Sequence, residues 1–460
     1  MRHMATNQKL TVLEHCSVAP PPGTVVEKSL PLTFFDILWL SFSHIQRLIF
    51  YEFPCSKTHF METLIPNLKD SLSLALKHFF PLAGHLVLSS SSSKPQIRYE
   101  EGDSVSLTFS ESESESESFS DFIGNHPRKA MDFHPFVPQL PLVTKSSDSF
   151  RVPVFSLQVT LFPNKGLCVG LTNHHAVGDA NSIFNFMKAW ALITRCGGDG
   201  PFLAGGSQPI FDRTLIKDPK GLDSIFLSQL GTTIPVQQVP TNSDKFRATF
   251  IMSRTNIQRL KSLVMAKRPG LVHVSTFTVI CAYIWVCMVK SKAAIGEEGD
   301  EDEPYHFICT GDTRARLDPP IPASYFGNCI FAACIAAVNC KKLAGDEGFI
   351  FAVEAIGEDI RERLYNEEGM LKNAETFLLD VKEINWDWER TVGVAGSPKF
   401  NYYDIDFGWG KPKKFEFVSI DITGAMSLNG CRDLDGGIEV GLSLPKAQMD
   451  AFAASFAEGL

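Results

Sequence analysis

The sequence predicts a mixed α/β protein built from two domains, and three observations carry that prediction. Its 460 residues, 44% of them apolar and 21% charged, exceed what one ordinary hydrophobic core supports. Helical and extended hydrophobic patterns both occur in each half. A stretch rich in glycine, proline and polar residues separates those halves. We therefore expect domains over 1–195 and 245–460, joined by a crossover linker over 196–244.

The N-terminal half begins with an extended segment, TVLEHCSV, that ends in a proline-rich turn. The first strong helix is HFMETLIPNLKDSLSLALKHFF, whose leucines and phenylalanines recur on one face. In PVFSLQVTLFPNKGLCVGLTNHH, apolar residues alternate on both sides of PNKG, which predicts a hairpin. Apolar residues recur at helical spacing after Asp179, so the two histidines at the end of the hairpin lie where a strand passes into a helix.

The C-terminal half mixes predicted helices with predicted strands. The helices are SRTNIQRLKSLVMAK and EGFIFAVEAIGEDIRERL, and the strands are HFICTGDTR, FEFVSIDI and GGIEVGLSL. The longest apolar run, 277–289, is too short to span a bilayer and is interpreted as a buried core segment. Three low-complexity stretches are expected to be solvated surface loops, because they bury too little apolar surface to repay ordering: SSSSSK, SESESESES and GEEGDEDEP.

Charge and cysteine content exclude several classes of protein. A net charge of -9 argues against a nucleic-acid-binding protein, which needs a basic footprint. The eleven cysteines contain no CxxC pair, so we expect reduced thiols and no zinc site. The N-terminus carries no apolar signal-peptide core, and we therefore expect a cytosolic protein.

The stretch LTNHHAVGDANS places two histidines, a glycine and an aspartate at the junction of strand and helix. Successive side chains of a strand point to opposite faces, so we expect one histidine to reach a cleft and the other to pack. A neutral imidazole suits a general base, because its ordinary pKa is about 6.5. Gly178 permits a sharp bend of the backbone. Asp179 either orients the imidazole or caps the following helix.

Two other chemistries fit this stretch poorly. A metal site lacks its third ligand, since no nearby histidine or cysteine joins His175 and Asp179 at a recognisable spacing. A serine nucleophile lacks its GxSxG turn. A hydroxyl supplied by the substrate agrees better with these residues.

HHAVGD near residue 175, together with DFGWG at 406–410, resembles the plant BAHD acyltransferase family. A protein kinase, which DFG alone suggests, would need an HRD loop and a glycine-rich phosphate loop that the sequence lacks. Within the family, YFGNC after DTRARLDPPIP is similar to the branch that acylates glucosides of anthocyanins and other flavonoids, mostly with malonyl-CoA. Similar stretches extend over nearly the whole chain.

The resemblance implies two chloramphenicol-acetyltransferase-like domains, each a mixed sheet flanked by helices, with an active-site channel between them. It maps His175 onto the family's general base and Asp179 onto a structural aspartate turned away from the site. Arg314, in DTR, matches the position that pairs with this aspartate and so locks the turn. His174 is then the packed neighbour.

In that family DFGWG lies away from the chemistry. The resemblance therefore implies that four residues of the motif support the architecture: Asp406, Gly408, Trp409 and Gly410. Trp409 is expected beneath the loop that borders the CoA channel. The candidate CoA contacts match regions that line this channel in the family: Lys261, Ser275, Thr276 and Ser397. A solvated helix lysine explains Lys261 equally well.

The implied reaction transfers an acyl group from an acyl-CoA co-substrate, most often malonyl-CoA, to a sugar hydroxyl of a flavonoid, anthocyanin or other phenolic glucoside. We expect no permanently bound cofactor or metal, a monomer, and neither nucleic acid nor membrane as a partner. A malonyl carboxylate needs a cation or several N–H donors near the acyl end, which the sequence does not identify. Two alternatives are transfer of a coumaroyl or caffeoyl group to the same acceptors, and non-catalytic binding of CoA or a phenolic glucoside.

Overall fold

The strands of the protein form three sheets in the computed structural model, which describes residues 10–89, 94–113, 118–146, 148–231, 244–271, 274–297, 302–366, 369–384 and 387–460. The strands are β1 Leu10–Val18, β2 Lys28–Pro31, β3 Ile45–Tyr51, β4 His85–Ser89, β5 Gln96–Tyr99, β6 Val105–Ser112, β7 Arg128–Lys129, β8 Thr144–Lys145, β9 Ser149–Pro153, β10 Phe155–Phe162, β11 Gly166–Asn173, β12 Lys245–Met252, β13 Pro304–Asp312, β14 Ile330–Asn339, β15 Thr391–Ala395, β16 Lys414–Phe417, β17 Met426–Gly430 and β18 Ile438–Pro445. The six-stranded sheet has the order β1-β6-β10-β11-β3-β16, the seven-stranded sheet β14-β13-β15-β17-β18-β12-β7, and the five-stranded sheet β2-β5-β4-β9-β8.

Helices connect and cover these sheets. They are α1 Phe34–Ile37, α2 Lys57–His59, α3 Ile65–His78, α4 Ser118–Ile123, α5 Ala180–Cys196, α6 Gly200–Ala204, α7 Leu222–Leu230, α8 Arg254–Lys267, α9 Thr276–Ala294, α10 Cys340–Ala344, α11 Gly348–Leu364, α12 Phe377–Glu383, α13 Ile420–Thr423 and α14 Lys446–Glu458. A π-helical turn, Phe60–Leu64, joins α2 to α3. The first strong helix is thus confirmed, and a short 3₁₀ turn containing Pro81 follows it.

The predicted hairpin is confirmed as β10 and β11, with Phe155 opposite Asn173 and Phe162 opposite Gly166. Both strands are buried along their whole length, because β6 flanks one and β3 flanks the other. The predicted first strand is also confirmed, as β1. The hairpin delivers the histidine pair to one end of the six-stranded sheet.

Two predictions in the second half of the chain were incomplete. The crossover linker was interpreted from its glycine and proline content, but it contains α6 and α7, and α7 packs against α1; residues 232–243 of the linker lie outside the described residues. FEFVSIDI is a strand only to Phe417, after which α13 begins. Short apolar runs do not distinguish a strand from a helix by periodicity.

The longest apolar run lies within α9, which has 19 residues. The helix extends beyond the run at both ends and is long and apolar enough to cross a membrane by length and composition alone. Its burial is confirmed, since 67% of its most apolar window is buried inside the protein. The helix packs against α14 and α11, as a central core helix does.

The low-complexity stretches are only partly described, because residues 90–93, 114–117 and 298–301 lie outside the described residues. The serine and glutamate stretch was expected to be a loop, but its first residues extend β6 and pair with β1. Ser110 and Ser112 are buried there, and the Ser110 hydroxyl hydrogen-bonds that of Thr160 at 2.8 Å. Pairing with β1 therefore makes the start of this stretch a strand, although its serine and glutamate content predicts a loop.

Two strands cross the predicted domain boundaries. β16 joins the six-stranded sheet by pairing with β3, and β7 joins the seven-stranded sheet by pairing with β12. Buried ion pairs link the exchanged strands. Arg128 and Arg247 both contact Glu416 at 2.9 Å, and Arg247 also contacts Asp421 at 2.6 Å. We call these four residues the paired network; they join the two halves of the chain.

The two faces of the six-stranded sheet cover different apolar clusters. Ile49 and Tyr51 of β3 face the main core, which draws buried residues from both halves of the chain. Leu48 and Phe50 face a smaller cluster rich in phenylalanine. Because side chains alternate along a strand, each buried polar residue of β3 and β16 belongs to one face or the other.

Candidate active site

His174 is the packed member of the histidine pair. Its ring is fully buried, and its Nδ1 accepts a hydrogen bond from the Ala176 N–H at 3.2 Å. The backbone N–H of His174 donates to the Val154 carbonyl at 2.9 Å, which ties the end of β11 to the residue that precedes β10. These contacts start the 3₁₀ turn His175–Val177, which breaks the strand between the histidines and lets the second ring point elsewhere.

His175 is half-buried, and its ring is held by two aromatic side chains. The imidazole stacks on Trp39 with ring centroids 4.0 Å apart and an interplanar angle of 11°, and Phe42 meets its edge at 5.6 Å. Asn328 donates to the His175 carbonyl at 3.0 Å. Nδ1 is buried without a hydrogen-bond partner, and Nε2 makes no hydrogen bond within the described part of the chain. Nε2 is therefore the nitrogen available to a substrate.

Burial keeps three histidines neutral: His175 itself and two of its neighbours. Burial, with a smaller contribution from the charge of Arg47, lowers the pKa of His175 to about 4. Burial also lowers the pKa of His174 to about 3 and that of His44 to about 4. The His44 and His174 rings lie 5.5 Å apart. We call Trp39, His44, His174 and His175 the histidine site.

Asp179 is turned away from the imidazole and caps α5. One carboxylate oxygen accepts the N–H of Ser182 at 3.0 Å, and the other lies 2.8 Å from Nη1 of Arg314. The second oxygen also accepts the Cys329 N–H at 3.1 Å. Of the two roles left open for Asp179, the structure therefore shows the cap, and the ion pair expected with Arg314 is present. Asp179 fixes the turn that aims His175.

Gly178 does not make the sharp bend that the sequence predicts. Its backbone is extended, with φ 166° and ψ 157°, a conformation open to other residues. A Cβ at this position would lie 2.9 Å from the Cβ of Ser182. Close approach of α5, rather than backbone freedom, therefore requires glycine, and the bend lies in the 3₁₀ turn.

Sequence analysis missed several residues that build the site. Asn328 bridges the two halves of the chain, since it donates to Asp36 as well as to the His175 carbonyl. It lies within YFGNC, so the motif itself contained the signal. Trp39 and Phe42, which hold the imidazole, follow LPLTFFD with no periodicity or motif that marks them.

DFGWG forms a structural loop remote from the imidazole. Asp406 accepts the N–H groups of Gly408 at 2.8 Å and Gly410 at 2.9 Å, and both glycines adopt positive φ. Trp409 packs on Tyr51 at 5.2 Å. Tyr51 lies six residues along β3 from Ile45, the partner of Asn173, a separation of about 20 Å.

The four candidate CoA contacts lie on three separate elements of the C-terminal half. Lys261 is half-buried on α8. Ser275 caps α9 by accepting the Thr278 N–H at 3.0 Å, and Thr276 begins that helix. Ser397 follows β15 and accepts the Lys399 N–H at 3.3 Å. Their contact with CoA stays a prediction. Among the residues that the structure describes, no three His, Cys, Asp or Glu side chains are placed to hold a metal ion.

Comparison with known proteins identifies the family. The Transferase family matches residues 8–458. The chain is 46% identical to malonyl-coenzyme A:anthocyanin 3-O-glucoside-6''-O-malonyltransferase of Dahlia pinnata, covering 98% of this chain and 97% of the relative. It is also 46% identical to phenolic glucoside malonyltransferase 1 of Nicotiana tabacum, with 98% and 99% covered.

Solved structures show the same fold. Vinorine synthase superimposes with a TM-score of 0.71 at 19% identity, over 98% of both chains. The predicted mixed α/β fold with two chloramphenicol-acetyltransferase-like domains is thereby confirmed. With a family match over nearly its whole length and relatives at 46% identity, the chain belongs to the BAHD transferase family.

Proposed function

We propose that the protein transfers the malonyl group of malonyl-CoA to a sugar hydroxyl of a flavonoid or other phenolic glucoside. The observation that carries the proposal is the His175 ring, which is clamped by Trp39 and Phe42 and leaves Nε2 free of hydrogen bonds with described residues. The names of the two relatives at 46% identity, a malonyltransferase for anthocyanin glucosides and one for phenolic glucosides, support the donor and the acceptor class.

The reaction needs one base and no covalent enzyme intermediate. Nε2 of His175 takes the proton from the sugar hydroxyl as its oxygen attacks the thioester carbonyl carbon. The tetrahedral oxyanion then collapses, the carbon–sulfur bond breaks, and the CoA thiolate leaves. The imidazolium returns its proton to the thiolate sulfur. Holding both substrates in line supplies much of the acceleration.

The depressed pKa of His175 keeps the imidazole in the neutral form that a base requires and makes the imidazolium a strong acid toward the leaving thiolate. At a folded-state pKa of about 4, the imidazole is neutral at neutral pH and can accept the hydroxyl proton. The imidazolium that forms is a stronger acid than an exposed one, so it readily protonates the leaving thiolate. Asp179 is engaged by Arg314, and it therefore positions the turn rather than sharing the proton.

The proposal is tested by mass spectrometry of reactions containing the purified protein, malonyl-CoA and a panel of flavonoid and simple phenolic glucosides. Parallel reactions contain coumaroyl-CoA, and His175→Ala serves as the matched control. We expect products heavier by one malonyl group that are lost in the variant. Product from coumaroyl-CoA alone would overturn the donor assignment and keep the mechanism. If no donor gives a product, the alternative of a non-catalytic binding protein is favoured.

A further inference from the structure

Four arginines of the described chain are buried, and they differ in their partners. The four are Arg47, Arg128, Arg247 and Arg314. Three of them contact carboxylates at 2.6–2.9 Å, in the paired network and at Asp179. Arg47 is only 4% exposed, yet no carboxylate of the described residues lies within ion-pair distance of it. Within the described residues, Arg47 is thus a buried cation without a paired anion.

The surroundings of Arg47 are neutral groups. It lies on β3 between Leu171 of β11 and Phe417 of β16. Its Nη1 donates to Oδ1 of Asn173 at 2.8 Å, its Nε has no hydrogen-bond partner among described residues, and its guanidinium lies 5.6 Å from the Phe417 ring. Burial lowers the pKa of Arg47, and only the hydroxyl of Tyr402 opposes that shift.

An uncompensated buried charge is costly. The effective penalty for burying an ion is several kcal/mol, and proteins offset it with a paired charge and hydrogen bonds. Each of the three other buried arginines has a carboxylate partner, although Nε of Arg247 and Nε of Arg314 also lack a hydrogen-bond partner among the described residues. Arg47 has no such carboxylate in the described part of the chain, and the simplest explanation is a binding site in which an anionic ligand pairs with it.

The position of Arg47 suits the acyl end of the donor. Its partner Asn173 lies two residues before His175, and the charge of Arg47 contributes to the pKa of His175, so the two side chains share one electrostatic environment. The indole N–H of Trp39 and both ring nitrogens of His44 are also buried beside the same histidines, with no partner in the part of the chain that the structure describes. In malonyl-CoA, the free carboxylate is separated from the reacting carbonyl carbon by a single methylene group.

We propose that Arg47 binds the free carboxylate of the malonyl donor and thereby selects dicarboxylic acyl-CoA over neutral acyl-CoA. The inference rests on the proposed function. A charge-assisted contact in a desolvated site is strong, and a neutral acyl group would leave Arg47 without an anion. Arg47 is in this view the cation that a malonyl group requires and that the sequence did not identify.

The test compares donors that differ only in the carboxylate. For Arg47→Met we expect kcat/KM with malonyl-CoA to fall about 30-fold or more relative to kcat/KM with acetyl-CoA, because truncating one partner of a buried charge pair removes at least that factor. Arg47→Lys keeps the charge without the planar fork and should retain the ratio within about tenfold of wild type. Arg98→Met, which removes an exposed arginine paired with Glu27, is the matched control and should leave the ratio unchanged.

Each outcome decides one proposal. Failure of the wild-type protein to use malonyl-CoA overturns the proposed function and this inference with it. Wild-type malonylation with an unchanged donor ratio in Arg47→Met overturns only the role of Arg47, whatever the loss of total activity. Should Arg47→Met fail to fold, the wild-type protein is assayed with malonyl-CoA and with its methyl ester, which masks the carboxylate. Equal use of the two thioesters would rule out the carboxylate contact.

Discussion

The two faces of the six-stranded sheet differ in whether their buried charged groups have partners of opposite charge. On the face of Glu416, the paired network satisfies each charge: burial alone would raise the pKa of this carboxyl, but Arg128, Arg247 and Lys414 lower it to about 2. On the face of Phe417, Nε of Arg47 is buried without a partner among the described residues, and so are several nitrogens of the histidine site, which follows the end of the adjoining β11. Adjacent residues of one strand, β16, thus face the two environments.

The difference separates a structural role from a functional one. Buried polar groups are ordinarily hydrogen-bonded, so an orphaned group requires an explanation. The paired network joins strands exchanged between the two halves of the chain, and its charges are paired within the protein, although Nε of Arg247 has no hydrogen-bond partner among the described residues. The histidine site belongs to neither exchanged strand. Its nitrogens without partners among the described residues lie around the imidazole, whose Nε2 makes no hydrogen bond with those residues. We infer that bound substrates supply hydrogen-bond partners to these nitrogens.

The largest expected effect is on catalysis at the histidine site. His175→Ala should lower kcat/KM for malonyl transfer about 10³-fold, since a positioned general base contributes roughly 10²–10⁴-fold. Its melting temperature should fall only slightly, because the variant loses the ring contacts with Trp39 and Phe42 but no side-chain hydrogen bond with described residues. Steady-state rates and thermal melts measure the two effects. Retention of more than a tenth of wild-type activity would contradict the assignment of the base.

The converse is expected of the paired network. Glu416→Gln leaves Arg128 and Arg247 without their shared carboxylate, and breaking a buried pair costs about 3–5 kcal/mol of unfolding free energy. Urea unfolding measures this loss, and kcat of the folded fraction should be unchanged. Glu27→Gln, which breaks the exposed pair with Arg98, is the control and should cost less than about 1 kcal/mol. Equal losses in the two variants would remove the distinction between buried and exposed pairs.

As pH falls, the contribution of the histidine site to the free energy of unfolding should be lost before that of the paired network. The folded-state pKa values of His44, His174 and His175 lie below the ordinary 6.5, so their stability contribution is complete above pH 6.5 and is lost as pH falls toward 4. Glu416, lowered from 4.5 to about 2, loses its contribution only below 4.5.

His44→Phe tests this order, because it removes one of the three histidines whose pKa is lowered by burial and leaves His175 in place. The variant should flatten the dependence of unfolding free energy on pH by about 1.4 kcal/mol per pH unit below 6.5. Urea unfolding across this range measures the slope. A wild-type slope in the variant would show that the folded protein does not lower the pKa of His44.

The smallest expected effect lies outside both faces, in the DFGWG loop. Gly408→Ala places a side chain at φ +93°, which costs about 1 kcal/mol, while its Cβ meets Arg195 only at an ordinary 3.7 Å. Stability should fall by that amount at unchanged kcat. Gly198→Ala, at a glycine with ordinary φ and open space, is the control. A fall in kcat for Gly408→Ala alone would place the loop closer to the chemistry than the register of β3 indicates.

Local patterns determined much of the fold and one part of the site. The hairpin β10–β11 and the helix α5 follow from periodicity, because side-chain spacing reports which face is buried. The same patterns placed His174 and His175 at a junction where only one ring can reach a cleft. Resemblance to a family then distinguished His175 and gave Asp179 and Arg314 their pairing, which the structure shows.

The partners of the imidazole were decided only by the tertiary structure. Trp39, Asn328 and Arg47 are 136, 153 and 128 residues from His175 along the chain, so no local pattern relates them to it. The exchange of β16 and β7 between sheets is likewise invisible to periodicity, since a short strand carries the same pattern in either sheet. Sequence determined which residues are able to do acyl transfer, because that depends on residue type and local spacing; long-range packing decided which buried groups are left for the substrates to satisfy.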